Sequence, residues 1–230
     1  MVIARQAEKA PSQARGSRGK QGRDGRRRKR EQAREEVLRE ALRLADETPF
    51  HDVTVEEIAR AAGLSRSAFY THFSDKHDLL LAALGEVATE LRREAETWWD
   101  GEGPPAERVR KAIAGVISVY AEHAGLLRVA TEVSTYDEEV RATWTSIIGG
   151  FIAATAEHIR SEQRLGLIPD VLEARSTAEG LVWMVERCCY VYLSAGERPP
   201  ERLVADVAPV WIAALYPGVI PADLISPRSD

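Results

Sequence analysis

The 230-residue sequence predicts an all-α fold, and three observations predict it. Apolar residues recur at spacings of three and four along most of the chain. No stretch sustains the period-two alternation of a strand. Helix stops such as Pro49, the GEGPP run (Gly101 to Pro105) and the Gly166/Pro169 pair cut the pattern into helix-sized pieces. A hydrophobic content of 44% supports a real core, and the length suits one large domain or two small ones.

Residues 1–30 carry eleven Lys/Arg against two acids, with Pro11, Gly16, Gly19, Gly22 and Gly25 among them and little to bury. They read as a disordered basic tail. Its RRRKR run (Arg26 to Arg30) could neutralise phosphates and release counterions, or could serve only to solubilise. The remaining residues hold 20 basic and 34 acidic side chains, so the net charge of −5 hides a strong asymmetry.

A first helix is expected from Glu31, with Val37, Leu38, Ala41, Leu42, Leu44 and Ala45 on its apolar stripe and Pro49 past its end. Thr54 and Glu57 form a capping box that opens a second helix, VEEIARAA, packing Val55, Ile58, Ala59 and Ala62 inward. Gly63 permits a left-handed turn, Leu64 plugs the core, and Ser65 can cap a short third helix from Arg66 to His72. Helix, tight glycine turn and short helix make a helix-turn-helix unit, assigned to residues 31–78. A fourth helix starts at Asp75 and runs to the Trp98–Trp99 pair. Helices follow near 106–123, 125–133 and 137–165, then from Asp170 to about Ser194 and from about Pro200 to Tyr216. Pro209 should kink or split the last of these. Residues 79–218 are taken as a second domain and 219–230 as a flexible tail.

The two cysteines, Cys188 and Cys189, are adjacent, so they form neither a disulfide framework nor a metal knuckle, and burial is expected. No secretory signal is visible, and the longest apolar runs, such as LLLAAL at 79–84, are too short to span a bilayer. A cytoplasmic protein without cofactor or metal is expected.

The densest chemistry lies in GLSRSAFYTHFSDK (Gly63 to Lys76). Laid in a DNA major groove, the third helix would present Ser65, Arg66 and Ser67 to base edges and nearby phosphates. Tyr70 and His72 would face the backbone, and Lys76 and Thr54 would reach phosphates on either side. Phe69 and Phe73 would hold the core. A catalytic reading has the letters Ser65, His72 and Asp75, but a short helix scatters them over different faces.

The run TVEEIARAAGLSRSAFYTHFSDKHDLL (Thr54 to Leu80) resembles the DNA-binding domain of TetR-type repressors. The resemblance covers residues 31–85. It implies an all-α dimer that reads operator DNA, with Ser67, Tyr70, His72 and Lys76 as contacts and Arg66 and Thr54 close behind. The Trp144 region, MVERCCYVYLSAGERP (184–199) and VWIAALYPG (210–218) look similar to the EthR-like subgroup. That subgroup's apolar tunnel implies a ligand site at Trp144, Ile148, Phe151, Thr155, Val182, Val185, Glu186, Tyr190 and Trp211. The first four also share one helix face by their own spacing, as ordinary core residues do. Val182 and Val185 stand where the subgroup has amide side chains, so a more apolar ligand is expected, with Thr155, Tyr190 and Glu186 as its polar handles. The nearly all-round apolar helix 171–195 needs a second partner, most simply its copy in a homodimer, joined by the 200–216 helix. The expected function is a repressor released from a near-palindromic duplex operator by a small hydrophobic ligand. An all-α carrier or enzyme using the same pocket is the alternative.

Overall fold

The computed structural model describes residues 16–194 and 196–218, the side chains of 16–24 and 26 excepted. Among these residues every regular element is an α-helix. In chain order they are α1 (Gly16–Glu47), α2 (Val55–Ala61), α3 (Arg66–Phe69), α4 (Lys76–Trp99), α5 (Pro105–Glu122), α6 (Ala124–Val133), α7 (Glu138–Arg164), α8 (Ala174–Leu193) and α9 (Pro200–Leu215).

Helices α1 to α3 form a head packed on the start of α4. Val37, Ala41 and Ala45 of α1 meet Ile58 and Ala59 of α2 and the buried Phe69 and Phe73. Asp75 caps α4 by accepting from the backbone N–H groups of His77 and Asp78. From there α4 runs 24 residues, about 36 Å at 1.5 Å per residue, into the second half of the molecule. There α5, α7, α8 and α9 enclose its far end, and one connected core extends from Val37 to Tyr216.

Two expectations change. The basic stretch from residue 16 to 30 is the N-terminal half of α1 and not a disordered tail. Extending a helix that already exists avoids the nucleation cost, and Arg and Lys are good helix formers. The tails expected over residues 1–15 and 219–230 lie outside the described residues. Helix α9 passes through Pro209 without being split, because Leu203, Val207, Trp211 and Ile212 bury its inner face.

Boundaries elsewhere shift by a few residues. Helix α3 closes at Phe69, with Tyr70 to His72 in turns, and α8 starts at Ala174 under a Glu173 cap that accepts from Arg175 and Ser176 N–H. Cys189 is buried and Cys188 half-buried; burial pushes both thiols up from their ordinary range. Among the described residues no single helix is long and apolar enough to cross a membrane.

Candidate nucleic-acid interface and ligand cavity

The turn between α2 and α3 is built as its sequence dictates. The Thr54 hydroxyl accepts from Glu57 N–H while the Glu57 carboxylate accepts from Thr54 N–H, which closes the capping box. These bonds hold the Glu57 carboxyl below its ordinary range. Gly63 sits at φ +68°, a left-handed conformation that costs other residues about 1 kcal/mol or more. Leu64 N–H then donates to Ala59 and returns the chain to the core.

Ser65, Arg66, Ser67 and Tyr70 emerge together on the exposed side of this unit, with Thr54 at its edge. Ser65 caps α3 by accepting from Ala68 N–H, and its hydroxyl lies 3.0 Å from that of Ser67. The Arg66 guanidinium lies 5.8 Å from the Tyr70 ring centre, within cation–π reach. Phe69 and Phe73 are buried behind them, 5.7 Å apart.

His72 and Lys76 differ from expectation. His72 is half-buried with Nδ1 unbonded; desolvation, then Arg30 and Arg34, lowers its pKa, so it is neutral at pH 7. Lys76 does not stand free for a phosphate. Its Nζ donates to the carbonyls of Phe50, His51 and Val53, each at 2.7 Å, which uses all three of its N–H bonds. An ammonium at the first turn of α4 is the group that can converge on this loop, and the sequence alone does not reveal the loop's position.

Sequence reasoning also missed the reach of α1. Arg30 donates to Thr71 O at 3.4 Å and Arg34 to His72 O at 3.1 Å, with the Arg34 guanidinium 4.4 Å from the Phe73 ring centre. Arg27, Arg28 and Lys29 continue, exposed, along the same helix. The catalytic alternative has no geometry: Ser65 and Asp75 spend their side-chain oxygens on helix caps, and His72 bonds neither.

The second site is a narrow apolar cavity of about 70 Å³ between α4, α5, α7, α8 and α9. Seven of the nine expected residues line it: Ile148, Phe151 and Thr155 on α7, Val182, Val185 and Glu186 on α8, and Trp211 on α9. Trp144 and Tyr190 do not. Trp144 instead stands near the Glu186 carboxyl and offsets part of the effect of its burial, and Tyr190 lies under the Arg187 guanidinium, 5.1 Å away. Helical phase explains the second miss: 182, 185, 186 and 189 form the inner stripe of α8, and 190 is rotated off it.

The opposite wall was not anticipated. Helix α4 supplies Leu91, Ala95, Trp98 and Trp99, and α5 supplies Val109, Ile113, Val116 and Tyr120. The three-and-four spacing on α5 and the paired tryptophans were visible signals, but nothing local says that they face a space.

Beside the cavity lies a polar hub. Glu162 accepts from Arg108 at 2.6 Å and from the Tyr216 hydroxyl, and His158 Nε2 stands 3.4 Å away. The Trp98 indole donates to the Tyr216 hydroxyl at 3.1 Å. Burial alone would raise the Glu162 pKa, but the neighbouring His158 and the bonds from Tyr216 and Arg108 outweigh it and hold it at about 2.

Comparison with known proteins fits both halves. Residues 37–83 match the family described as bacterial regulatory proteins, tetR family. Residues 109–217 match the C-terminal domain of transcriptional regulator EthR. The chain is 31% identical over 193 residues to the HTH-type transcriptional regulator EthR of Mycolicibacterium smegmatis, covering 80% of this chain and 86% of that one. Against EthR of Mycobacterium tuberculosis the identity is 29% over 188 residues, 78% and 85% of the two chains. Among solved structures, NalD of Pseudomonas aeruginosa, the secondary repressor of the MexAB-OprM multidrug efflux pump, superposes with TM-score 0.67 at 18% identity. The match covers 82% of this chain and all of that one. PfmR of Thermus thermophilus gives TM-score 0.64 at 18% identity over 75% and 94%. At such identities these structures establish the fold alone.

Proposed function

The chain belongs to the TetR family of bacterial regulatory proteins, with an EthR-like C-terminal half, and from that premise we propose a repressor released from its operator by a small apolar ligand. It is a DNA-binding transcriptional regulator and not an enzyme, and regulators of this family act as dimers on DNA operators.

The observation that carries the reading is the course of α4. One end is capped beside the DNA-reading turn at Asp75, and the other carries Trp98 and Trp99 in the cavity wall. Pockets for drug-sized ligands measure roughly 300–1,000 Å³. A space of about 70 Å³ therefore admits such a ligand only if its walls separate, and α4 is one of those walls. Three further ties pass the displacement to the head. Arg128 of α6 donates to Asp46 at 2.6 Å and to Ala45 O at 3.2 Å, and Phe50 N–H donates to Glu132 at 3.3 Å. His77 of α4 meets Asp137, the cap of α7, at 3.0 Å.

Two heads related by a two-fold place their α3 helices in successive major grooves, about 34 Å apart. A ligand that prefers the wrong spacing by about 1–3 kcal/mol is sufficient to release the operator. We place the two-fold contact on the outer faces of α8 and α9. There Met184, Cys188 and Val191 recur at intervals of four and three, beside the exposed Val210.

Operator selection from random duplexes tests the reading. A near-palindromic site should emerge, and Arg66→Ala and Tyr70→Ala should each weaken its binding by about 1–3 kcal/mol, the range of a base or close backbone contact. Recovery of no site, or no effect of either substitution, would refute it.

A further inference from the structure

The cavity wall carries one carboxylate, Glu186, among apolar side chains, the Thr155 hydroxyl, Tyr120 and the unpartnered indole N–H groups of Trp99 and Trp211. Glu186 is 3% exposed, and its Oε2 makes no hydrogen bond. The Trp144 indole stands near the carboxyl, and the Arg187 Nε, on an exposed side chain, is 3.7 Å from Oε2. The nearby ionisable groups, Tyr120 of α5 and Cys189 of α8, are buried and neutral at pH 7, their pKa values raised by burial. An acceptor of this kind, desolvated and incompletely paired, is unfavourable in a folded protein unless something supplies a donor.

The surroundings select the donor. Tyr120 and Phe151, with the tryptophans Trp98, Trp99 and Trp211, bring aromatic rings to the cavity, and ring faces attract a desolvated cation. Burial raises the Glu186 pKa, and the exposed Arg187, with Trp144, offsets only part of it.

We propose that the cavity takes a lipophilic amine, its protonated nitrogen bound to Oε2 of Glu186 and its apolar body lying between the aromatic walls. The inference rests on the ligand-cavity reading above and sharpens it. Val182 and Val185 in the wall favour an apolar body, and the ligand's polar group belongs at Glu186. Thr155 remains a secondary handle, and Tyr190 is not one.

Three probes of matched size test it on the full chain: 4-phenylbutylamine, n-pentylbenzene and 4-phenylbutanoic acid. Titration calorimetry gives affinity, and tryptophan fluorescence reports from the cavity wall. The amine should bind at least tenfold more tightly than n-pentylbenzene, and the acid most weakly. Glu186→Gln should remove that preference while leaving n-pentylbenzene within about threefold. The wild-type comparison stands alone if the variant fails to fold. Binding of n-pentylbenzene as tightly as the amine overturns the amine proposal and leaves the cavity reading intact. Binding of none of the three overturns both.

Discussion

Nζ of Lys76 has three N–H bonds to give, and it gives all three to the loop that enters α2. Charged hydrogen bonds are worth about 1.5–3 kcal/mol each, less what water restores to the exposed His51 carbonyl. Lys76→Met should therefore destabilise the protein by about 2–4 kcal/mol in urea unfolding. Operator affinity should fall with the folded fraction, while the slope of log affinity against log salt stays unchanged. A slope smaller by about one would mean that Lys76 neutralises a phosphate after all. Residues whose role is set by their nearest neighbours in sequence were legible: the Thr54 box, the Gly63 turn, the Ser65 cap. Lys76, Trp144 and Tyr190 were not, because their partners lie on other elements or depend on helical phase.

At the scale of elements, apolar spacing and stop residues located the helices well, since each stop has a local cause in Pro or Gly. The N-terminal half of α1 escaped, because its stability comes from continuing a helix already formed. The far wall of the cavity escaped because α4 and α5 look like any core helices until they are seen to leave a gap. The outer face of α8 and α9 is where one element's surplus becomes a prediction. Val191 and Val210 stay 42% and 48% exposed in the single chain while Leu181, Val185 and Cys189 fill the interior. An arginine at either valine leaves the protomer's own packing untouched but sets like charges across a two-fold. Val210→Arg should give a monomer by light scattering at micromolar concentration, with an unchanged helical circular dichroism spectrum and loss of operator binding. A variant that remains dimeric would place the contact elsewhere. Val191→Arg, one helix away, checks that conclusion.

For the whole molecule, the Glu162 hub joins more of the chain than any helix pair does. It ties α5 through Arg108, the body of α7 through His158, the end of α4 through Trp98 and the residue after α9 through Tyr216. Its carboxyl titrates at about 2 in the folded chain against 4.5 ordinarily. The stabilisation it confers is therefore complete above pH 4.5 and is lost as pH falls from there toward 2. Glu173, the α8 cap, is likewise held at about 2 by the Ser176 and Arg175 backbone N–H groups and fails over the same window. On the alkaline side Tyr216, raised by burial and then by Glu162, keeps its proton past its ordinary value of 10, so its share persists at moderately high pH. Removing one partner of such a buried pair leaves the other uncompensated, at a cost of about 3–5 kcal/mol. Glu162→Gln should lower stability at pH 7 by about that amount and flatten the fall in stability between pH 4.5 and 2. Glu173→Gln should flatten it too without disturbing the cavity. Trp98 belongs to both the hub and the cavity wall, so only the Glu162 variant should also change the affinity of an apolar probe such as n-pentylbenzene. Equal probe affinity in both variants, with the acid slope of the wild type retained, would show that the hub is a local fastening and not the brace of the ligand-binding half.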